Sequence, residues 1–212
     1  MNDLQHRAHL RHLAKADGYR LLSACYYQPE DAFLEEEVFT QLKTALAKAS
    51  PSGVMEAATL DDCFRDSGVE ALMLDYSRLF LGPFDILAKP YGSVYLDGEK
   101  IVMGDSTMQA LELYREGGFD VAEDFLEMPD HIAVELEFLY LLSFRIGKAS
   151  DDEKRSHLIA LKQKFLEEHL GRWVGTLSEA IRKGAQTDFY KRLADLTEQF
   201  VLEDLQELTE AE

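Results

Sequence analysis

The chain has 212 residues, of which 46% are hydrophobic, and it carries a formal net charge of −18 at pH 7. That length and apolar content suit one globular domain with a sizeable core. The acidic balance excludes a general nucleic-acid binder, because such a protein needs a basic face to displace counterions, and it favours basic partners instead.

Cysteine usage and the N-terminal sequence point to the cytoplasm. Cys25 and Cys63 are the only cysteines. Two cysteines are too few for a disulfide scaffold in a chain of this length, so we expect a reducing compartment. The first residues include several histidines and arginines but no apolar stretch after them, a pattern that predicts neither a secretory nor a twin-arginine signal. No run of about 18 apolar residues occurs, so we expect no transmembrane helix.

Apolar periodicity predicts a succession of helices in the first part of the chain. The predicted helices span residues 4–27, 30–49, 54–64 and 69–81. A long irregular segment, residues 82–104, follows them. A loop of this length in a compact helical domain is either functional or disordered. Its aromatic content argues against disorder, so we expect a functional loop.

Helices also fill the second part of the chain. We predict helices over residues 107–116, 151–170, 171–184 and from 188 to about 208, with a short helix or turn at 121–126. Asp105 or Ser106 is the predicted N-cap of the first of these helices and Thr187 that of the last. The acidic tail, about 207–212, is expected to fray. The predicted fold class is all-α: a single-domain multi-helix bundle over residues 1–212 with one long aromatic loop.

The apolar run 132–146 predicts the central helix, because a helix that is hydrophobic on nearly every face is a buried one. Pro129 suits the first turn of a helix, where its missing N–H has no helical partner. Asp130 then adds a negative charge at the positive end of the helix dipole. An Asp130-His131 pair therefore stands where a polar loop reaches the core. Glu135 lies inside the buried run and must be paired or face a groove.

Several chemistries remain open for Asp130 and His131. Phosphate-loop, dinucleotide and nucleophile-elbow motifs are absent from the sequence. Asp130, His131 and Glu135 could bind a metal, since positions 131 and 135 share a helix face. The commoner role of such a pair is structural, as a helix cap with satisfied polar atoms.

Three motifs together resemble one family. They are Tyr76-x-Arg78-Leu79-Phe80-Leu81-Gly82-Pro83, then Pro90-Tyr91-x-Ser93-Val94-Tyr95, then Pro129-Asp130-His131 with 134–139. In this order they resemble the TorD/DmsD-type redox-enzyme maturation chaperones, over roughly residues 15 to 200. Gly92 departs from the family pattern, in which many members carry a larger or acidic residue.

The resemblance implies an all-helical cytoplasmic chaperone without enzymatic activity. Such a chaperone binds the twin-arginine signal peptide of the catalytic subunit of a molybdopterin-dependent oxidoreductase. It holds the apo form of that subunit until the cofactor is inserted. The implied signal-peptide site comprises Tyr76, Phe80, Pro83, Pro90, Tyr91, Ser93, Tyr95, Asp130, His131 and Glu135.

Further expectations concern ligands and assembly. We expect no metal and no permanently bound cofactor; the molybdopterin belongs to the client, and weak guanine-nucleotide binding is left open. We expect a monomer or a helix-swapped dimer, with residues 82–104 as a candidate hinge. The competing functional hypotheses are a small helical hydrolase that uses the Asp130-His131 pair and a structural subunit of a redox complex.

Overall fold

The computed structural model describes residues 3–82, 86–98, 102–120 and 127–210, with side chains from residue 7 onward. Apart from short π-helical and 3-10 turns, the elements are α1 Asp3–Cys25, α2 Ala32–Glu35, α3 Val38–Ala49, α4 Val54–Ser67, α5 Val69–Tyr76, α6 Gly92–Leu96, α7 Asp105–Glu116, α8 Ile132–Lys148, α9 Asp152–Phe165, α10 Gly171–Gly184 and α11 Asp188–Glu210. Within these ranges the only β-type pairing is an isolated bridge between Tyr91 and His131. The predicted all-α class is confirmed.

Helix α8 is the central helix, as predicted. Leu136 and Leu139 are fully buried and Phe138 is 3% exposed. Helix α1 runs antiparallel along α8, because the Ser23 hydroxyl donates to the Ala133 carbonyl at 2.8 Å while Leu13 packs against Gly147 near the other end. A buried charge introduced at Leu136 would have no compensation in this environment.

The second predicted helix is not continuous. It divides into α2 and α3, because Glu37 adopts left-handed backbone angles, φ 53° and ψ 38°. A residue with a side chain rarely adopts that conformation within a helix. The three glutamates at 35–37 are exposed.

The segment 82–104 contains a short helix, α6, that the sequence analysis did not predict. The predicted cap of the next helix is also wrong, since α7 begins at Asp105 with Gly104 before it. Asp97, just after α6, accepts hydrogen bonds from the backbone N–H and the hydroxyl of Ser106, at 3.0 and 2.7 Å. The end of α6 is thereby tied to the start of α7.

The C-terminal helices are longer and more continuous than predicted. Helix α9 joins α10 through a π-helical turn at Leu166–Leu170. Helix α11 continues to Glu210 with Leu208 buried, so the tail does not fray from residue 207. Thr187 precedes α11, and its hydroxyl donates to Asp75 at 2.8 Å. Among the described residues, none of the helices combines the length and apolar character needed to cross a bilayer.

Candidate functional site

The N-terminus of α8 is built differently from the sequence expectation. The helix begins at Ile132, so Pro129 and Asp130 lie in the turn before it rather than in its first turn. His131 is the N-cap, and its Nδ1 accepts the Ala133 N–H at 3.2 Å. The capping role that the sequence analysis named as the commoner one for the Asp130-His131 pair therefore belongs to His131, and the Asp130 side chain does not cap α8.

Asp130 instead holds the segment that leads into α6. Its backbone carbonyl accepts the Gly92 N–H at 2.8 Å, and its Oδ2 accepts the Ser93 N–H at 2.8 Å. The Ile132 N–H donates to the Pro90 carbonyl, also at 2.8 Å. These three bonds join two segments about 40 residues apart in sequence. The motif at 90–95 and the motif at 129–131 therefore form one unit of structure.

Aromatic rings surround His131. The Tyr91 ring meets its imidazole edge to face at 5.5 Å between centroids, and the Tyr27 ring lies nearly parallel to it at 6.2 Å. His131 is only 4% exposed. Burial lowers the pKa of His131 to about 4, although Asp130 opposes the shift. At neutral pH the imidazole is therefore uncharged.

Glu127 supplies an accessible carboxylate above this histidine. Its side chain is 40% exposed, and its Oε2 lies 4.0 Å from His131 Nε2. Because His131 is neutral, this contact does not compensate the negative charge. Burial first and Glu127 second raise the pKa of Tyr76 to about 12, and the same two causes raise that of Tyr91.

Asp130 itself is fully buried. Its Oδ1 has no hydrogen-bond partner among the described residues, and neither does the nearby Ser93 hydroxyl. Buried polar atoms in folded proteins are nearly always satisfied, so an unpartnered carboxylate oxygen is an unusual feature.

Glu135 lies beneath the same loop, away from the exposed surface. It is fully buried, accepts the Trp173 indole N–H at 3.1 Å and lies 2.8 Å from His169 Nδ1. Burial disfavours the charged form of His169, but Glu135 and the Ser106 carbonyl more than offset it and raise the pKa to about 9. Glu135 therefore has a charged intramolecular partner, as the sequence analysis required of a buried acid.

The side chains of Glu135 and Trp173 also explain why a glycine stands at position 92, the departure from the family pattern. A Cβ at that position would lie 3.1 Å from both Glu135 Oε1 and Trp173 Nε1. The Tyr95 ring stacks on Trp173 at 5.6 Å. The start of α6 thus packs directly on the Glu135–Trp173 pair, and only a glycine fits there without a shift of its neighbours.

The predicted site residues divide into three groups. Pro90, Tyr91, Ser93, Asp130 and His131 come together as one unit through the contacts above. Tyr76 and Phe80, 6% and 3% exposed, form part of the core, with their tilted rings 5.2 Å apart between centroids. Tyr95 and Glu135 support α6 from within, and Pro83 lies outside the described residues.

Sequence reasoning missed four residues of this region: Tyr27, Glu127, His169 and Trp173. Glu127 had a detectable signal, since it is an acidic residue only four positions before His131, in the same segment as the Asp130-His131 pair. The other three are distant in sequence from both motifs, and nothing in their local pattern marked them.

The metal alternative finds no ligand set here. Within the ranges that the structure describes, no group of three or more His, Cys, Asp or Glu side chains is arranged to hold a metal ion. Asp130 binds the loop, His131 caps α8 and Glu135 pairs with His169. The three residues face different partners.

Comparison with known proteins identifies the family. The model of the nitrate reductase delta subunit family matches residues 47–179. A chain of Haemophilus influenzae, named "Probable Tat proofreading chaperone DmsD", is 30% identical over 84% of this chain and 83% of its own length. This chain belongs to the TorD/DmsD family of redox-enzyme maturation chaperones.

Other relatives agree with this family assignment. The Tat proofreading chaperone DmsD of Salmonella typhimurium is 29% identical over 84% of this chain and 82% of its own. The chaperone protein TorD of Photobacterium profundum is 30% identical over 62% of this chain and 61% of its own. A crystal structure from Archaeoglobus fulgidus, described as a candidate redox enzyme maturation protein, has the same fold, with a TM-score of 0.54, 19% identity, and coverage of 88% of this chain and 93% of that one.

Proposed function

We propose that this TorD/DmsD-family chaperone binds the twin-arginine signal peptide of a molybdopterin-dependent oxidoreductase catalytic subunit in the cytoplasm. It holds that precursor back from export until the molybdenum cofactor is inserted. The names of its relatives support the general role, and the Glu127–His131 turn supports the peptide site.

The observation that carries the proposal is the exposed Glu127 carboxylate above a neutral His131 and a buried, incompletely bonded Asp130. Neither carboxylate has a cation beside it among the described residues. A guanidinium group suits this place, because it carries a permanent charge and binds carboxylates through two parallel hydrogen bonds. The Tyr91 and Tyr27 rings beside His131 add faces on which a guanidinium can stack.

Glu127 and Asp130 have different roles in this proposal. Glu127 is accessible and makes the direct contact with an arginine. Asp130 is fully buried, so it acts from beneath: it fixes the loop through the Ser93 N–H and adds negative potential. His131 stays neutral and holds the first turn of α8 through its cap. The chemistry is recognition rather than bond breaking.

Calorimetry tests this proposal with the signal peptide of a molybdopterin oxidoreductase from the same organism. We expect Glu127→Gln to weaken binding by about 2 kcal/mol or more while the protein melts like the wild type, because one partner of a desolvated charged pair is lost. Asp130→Ala, His131→Ala and Tyr91→Ala should weaken binding as well. Replacing Arg-Arg by Lys-Lys in the peptide should lower the affinity, since lysine lacks the planar fork.

The matched control is Glu153→Gln, an exposed carboxylate on α9. It should leave the affinity nearly unchanged, because screened surface charges contribute little. The proposed site is wrong if the four site variants remain folded and all bind the peptide as the wild type does.

A further inference from the structure

The central helix α8 is buried around almost all of its circumference but leaves one stripe uncovered. Glu137, Phe144 and Lys148 are exposed, and Tyr140 and Leu141 are half-buried. Their spacing of three to four residues places them on one face. Phe144 is 41% exposed, although it belongs to the most apolar helix of the chain. We call these five residues the α8 stripe.

The stripe begins close to the candidate site, because both are built on α8. His131, a residue of the site, is the N-cap of this helix. Glu137 lies six residues after it, roughly 9 Å further along the helix axis. The Tyr27 ring lies 6.2 Å from the ring of His131, and burial first, then the charges of Glu137 and Glu127, raise the pKa of Tyr27. The first residue of the stripe is therefore within two helical turns of the site.

The side-chain charge changes from negative to positive along the stripe, from Glu137 to Lys148. Glu137 is exposed, and no hydrogen bond or ion pair joins it to another residue among those that the structure describes. Tyr140 and Phe144 follow with their rings 6.3 Å apart. Lys148 closes the stripe with its Nζ 5.6 Å from the centre of the Phe144 ring. The order along the stripe is thus one carboxylate, an apolar middle and a cation, and Glu127 of the candidate site precedes the helix that carries it.

We infer that the α8 stripe binds the apolar segment that follows the arginine pair of the signal peptide. The inference rests on the proposed function and assigns the direction of the peptide. Its arginines lie at Glu127 and Glu137, and its apolar segment lies on Tyr140, Leu141 and Phe144, toward Lys148. From position 137 to 148 the stripe extends roughly 16 Å, the length of three helical turns. An amphipathic or apolar helix binds such a surface through residues three and four apart.

A second copy of this chain fits the stripe less well. Antiparallel pairing would bring Glu137 near Lys148 of the other copy, but a stable dimer buries about 800 Å² on each partner. The apolar middle of the stripe consists of three side chains, two of them already half-buried. A net charge of −18 on each copy also opposes association.

Photo-cross-linking tests the inference. The full chain is mixed with the signal peptide used above, which carries one photoreactive phenylalanine analogue. In one peptide the analogue lies in the middle of the apolar segment, and in a second peptide it directly precedes the arginines. We expect the first to label residues 140–148 and the second to label the region of Glu127 and Tyr27. Labelling of another surface by the apolar probe, with binding intact, would overturn the inference and leave the proposed function standing.

Substitutions give an independent measurement. Phe144→Ser should raise the dissociation constant of the peptide roughly tenfold or more, since a large side chain no longer becomes buried on binding. Leu202→Ser on α11 is the matched control, because Leu202 is 40% exposed, and it should leave the constant unchanged. Equal affinities of the two variants would contradict the inference. So would a wild-type dimer in sedimentation that Phe144→Ser dissociates. Absence of binding by the wild type would reject the proposed function itself.

Discussion

Two buried aspartates of this chain have opposite surroundings. Asp204, on α11, is 1% exposed, and its carboxylate contacts the Lys15 and Lys162 ammonium groups at 2.5 Å each and the Tyr19 hydroxyl at 2.6 Å. The carboxylate of Asp130, before α8, is fully buried and accepts one hydrogen bond, from the Ser93 N–H, while its second oxygen has no partner in the part of the chain that the structure describes. The histidine beside it is neutral.

The difference separates a structural carboxylate from one suited to a ligand. At Asp204 burial alone would raise the pKa, but the two lysines outweigh it and lower the pKa well below the usual range. The cost of moving a charged group out of water is offset only when ion-pair and hydrogen-bond partners surround it. Asp204 has such partners in two lysines and a tyrosine. Among the described residues, Asp130 has only the Ser93 N–H bonded to its carboxylate. We therefore expect the first to govern stability and the second to govern affinity.

The largest effect should come from Asp204→Ala. Removal of the carboxylate leaves two buried lysines without their shared partner, so we expect a loss of ~3–5 kcal/mol in the free energy of unfolding. Urea denaturation followed by circular dichroism measures it. Asp188→Ala, at an exposed ion pair with Lys191, should cost less than about 1 kcal/mol. If Asp204→Ala lowers the free energy of unfolding by no more than this control does, Asp204 does not govern stability as the comparison requires.

The buried Glu135 has one ion-pair partner, His169, and is thus intermediate between Asp204 and Asp130. This pair makes the free energy of unfolding depend on pH. Because the pKa of His169 is about 9 in the folded chain and 6.5 in the unfolded reference, its contribution is complete below pH 6.5 and is lost as the pH rises through 9. A difference of this size corresponds to up to ~3 kcal/mol. The stability advantage of the wild type over His169→Gln should therefore shrink between pH 6.5 and 9.

Lys162 also titrates in this pH range, so the wild type must be compared with His169→Gln rather than measured alone. Burial lowers its pKa to about 8, and the charge of Asp204 opposes this shift, so its own contribution to stability increases with pH above that value. It is present in both proteins and cancels in their difference. A difference in unfolding free energy that stays constant from pH 6 to 9.5 would contradict the assignment of a charged His169.

A smaller effect is expected from Gly92→Ala. The added methyl group would crowd Glu135 and Trp173, each 3.1 Å from the new atom, at a cost of about 1–2 kcal/mol for overpacking. Thermal melting measures this cost. If α6 must be held in place for binding, peptide affinity should fall as well. Gly175→Ala on α10, where the nearest atom is the side chain of Glu198 at 3.1 Å, provides a comparison with a more flexible neighbour. Equal melting temperatures for the two variants would indicate that α6 can shift freely.

How much the sequence could predict depended on whether the signal was local. The apolar run of α8 and the breaks between most helices are local patterns, and they were predicted correctly. The division at Glu37 was not predicted, since it depends on a left-handed conformation that carries no glycine to mark it. Helix α6 was missed because its five residues are held by Asp130 and Trp173, which lie far away in sequence.

The same limit applies to the site. The family motifs brought attention to Tyr91, Ser93, Asp130 and His131, and the structure joins those residues. Their roles depend on the tertiary structure: within the Asp130-His131 pair it is His131 that caps the helix, and Glu135, expected at the peptide site, faces inward. Burial and pairing are tertiary properties, so periodicity could not show that Glu127, rather than Asp130, is the carboxylate within reach of a ligand.

The most direct test of the account is a double-mutant cycle between Glu127 and the peptide arginines, measured by calorimetry. The protein variants are Glu127→Gln and the control Glu153→Gln, and each arginine of the peptide is replaced in turn by alanine. We predict a coupling of about 1.5 kcal/mol or more between Glu127 and one of the arginines, the size found for close charge pairs, and a coupling near zero for Glu153. Tight binding of the peptide with no coupling between Glu127 and either arginine would contradict the account.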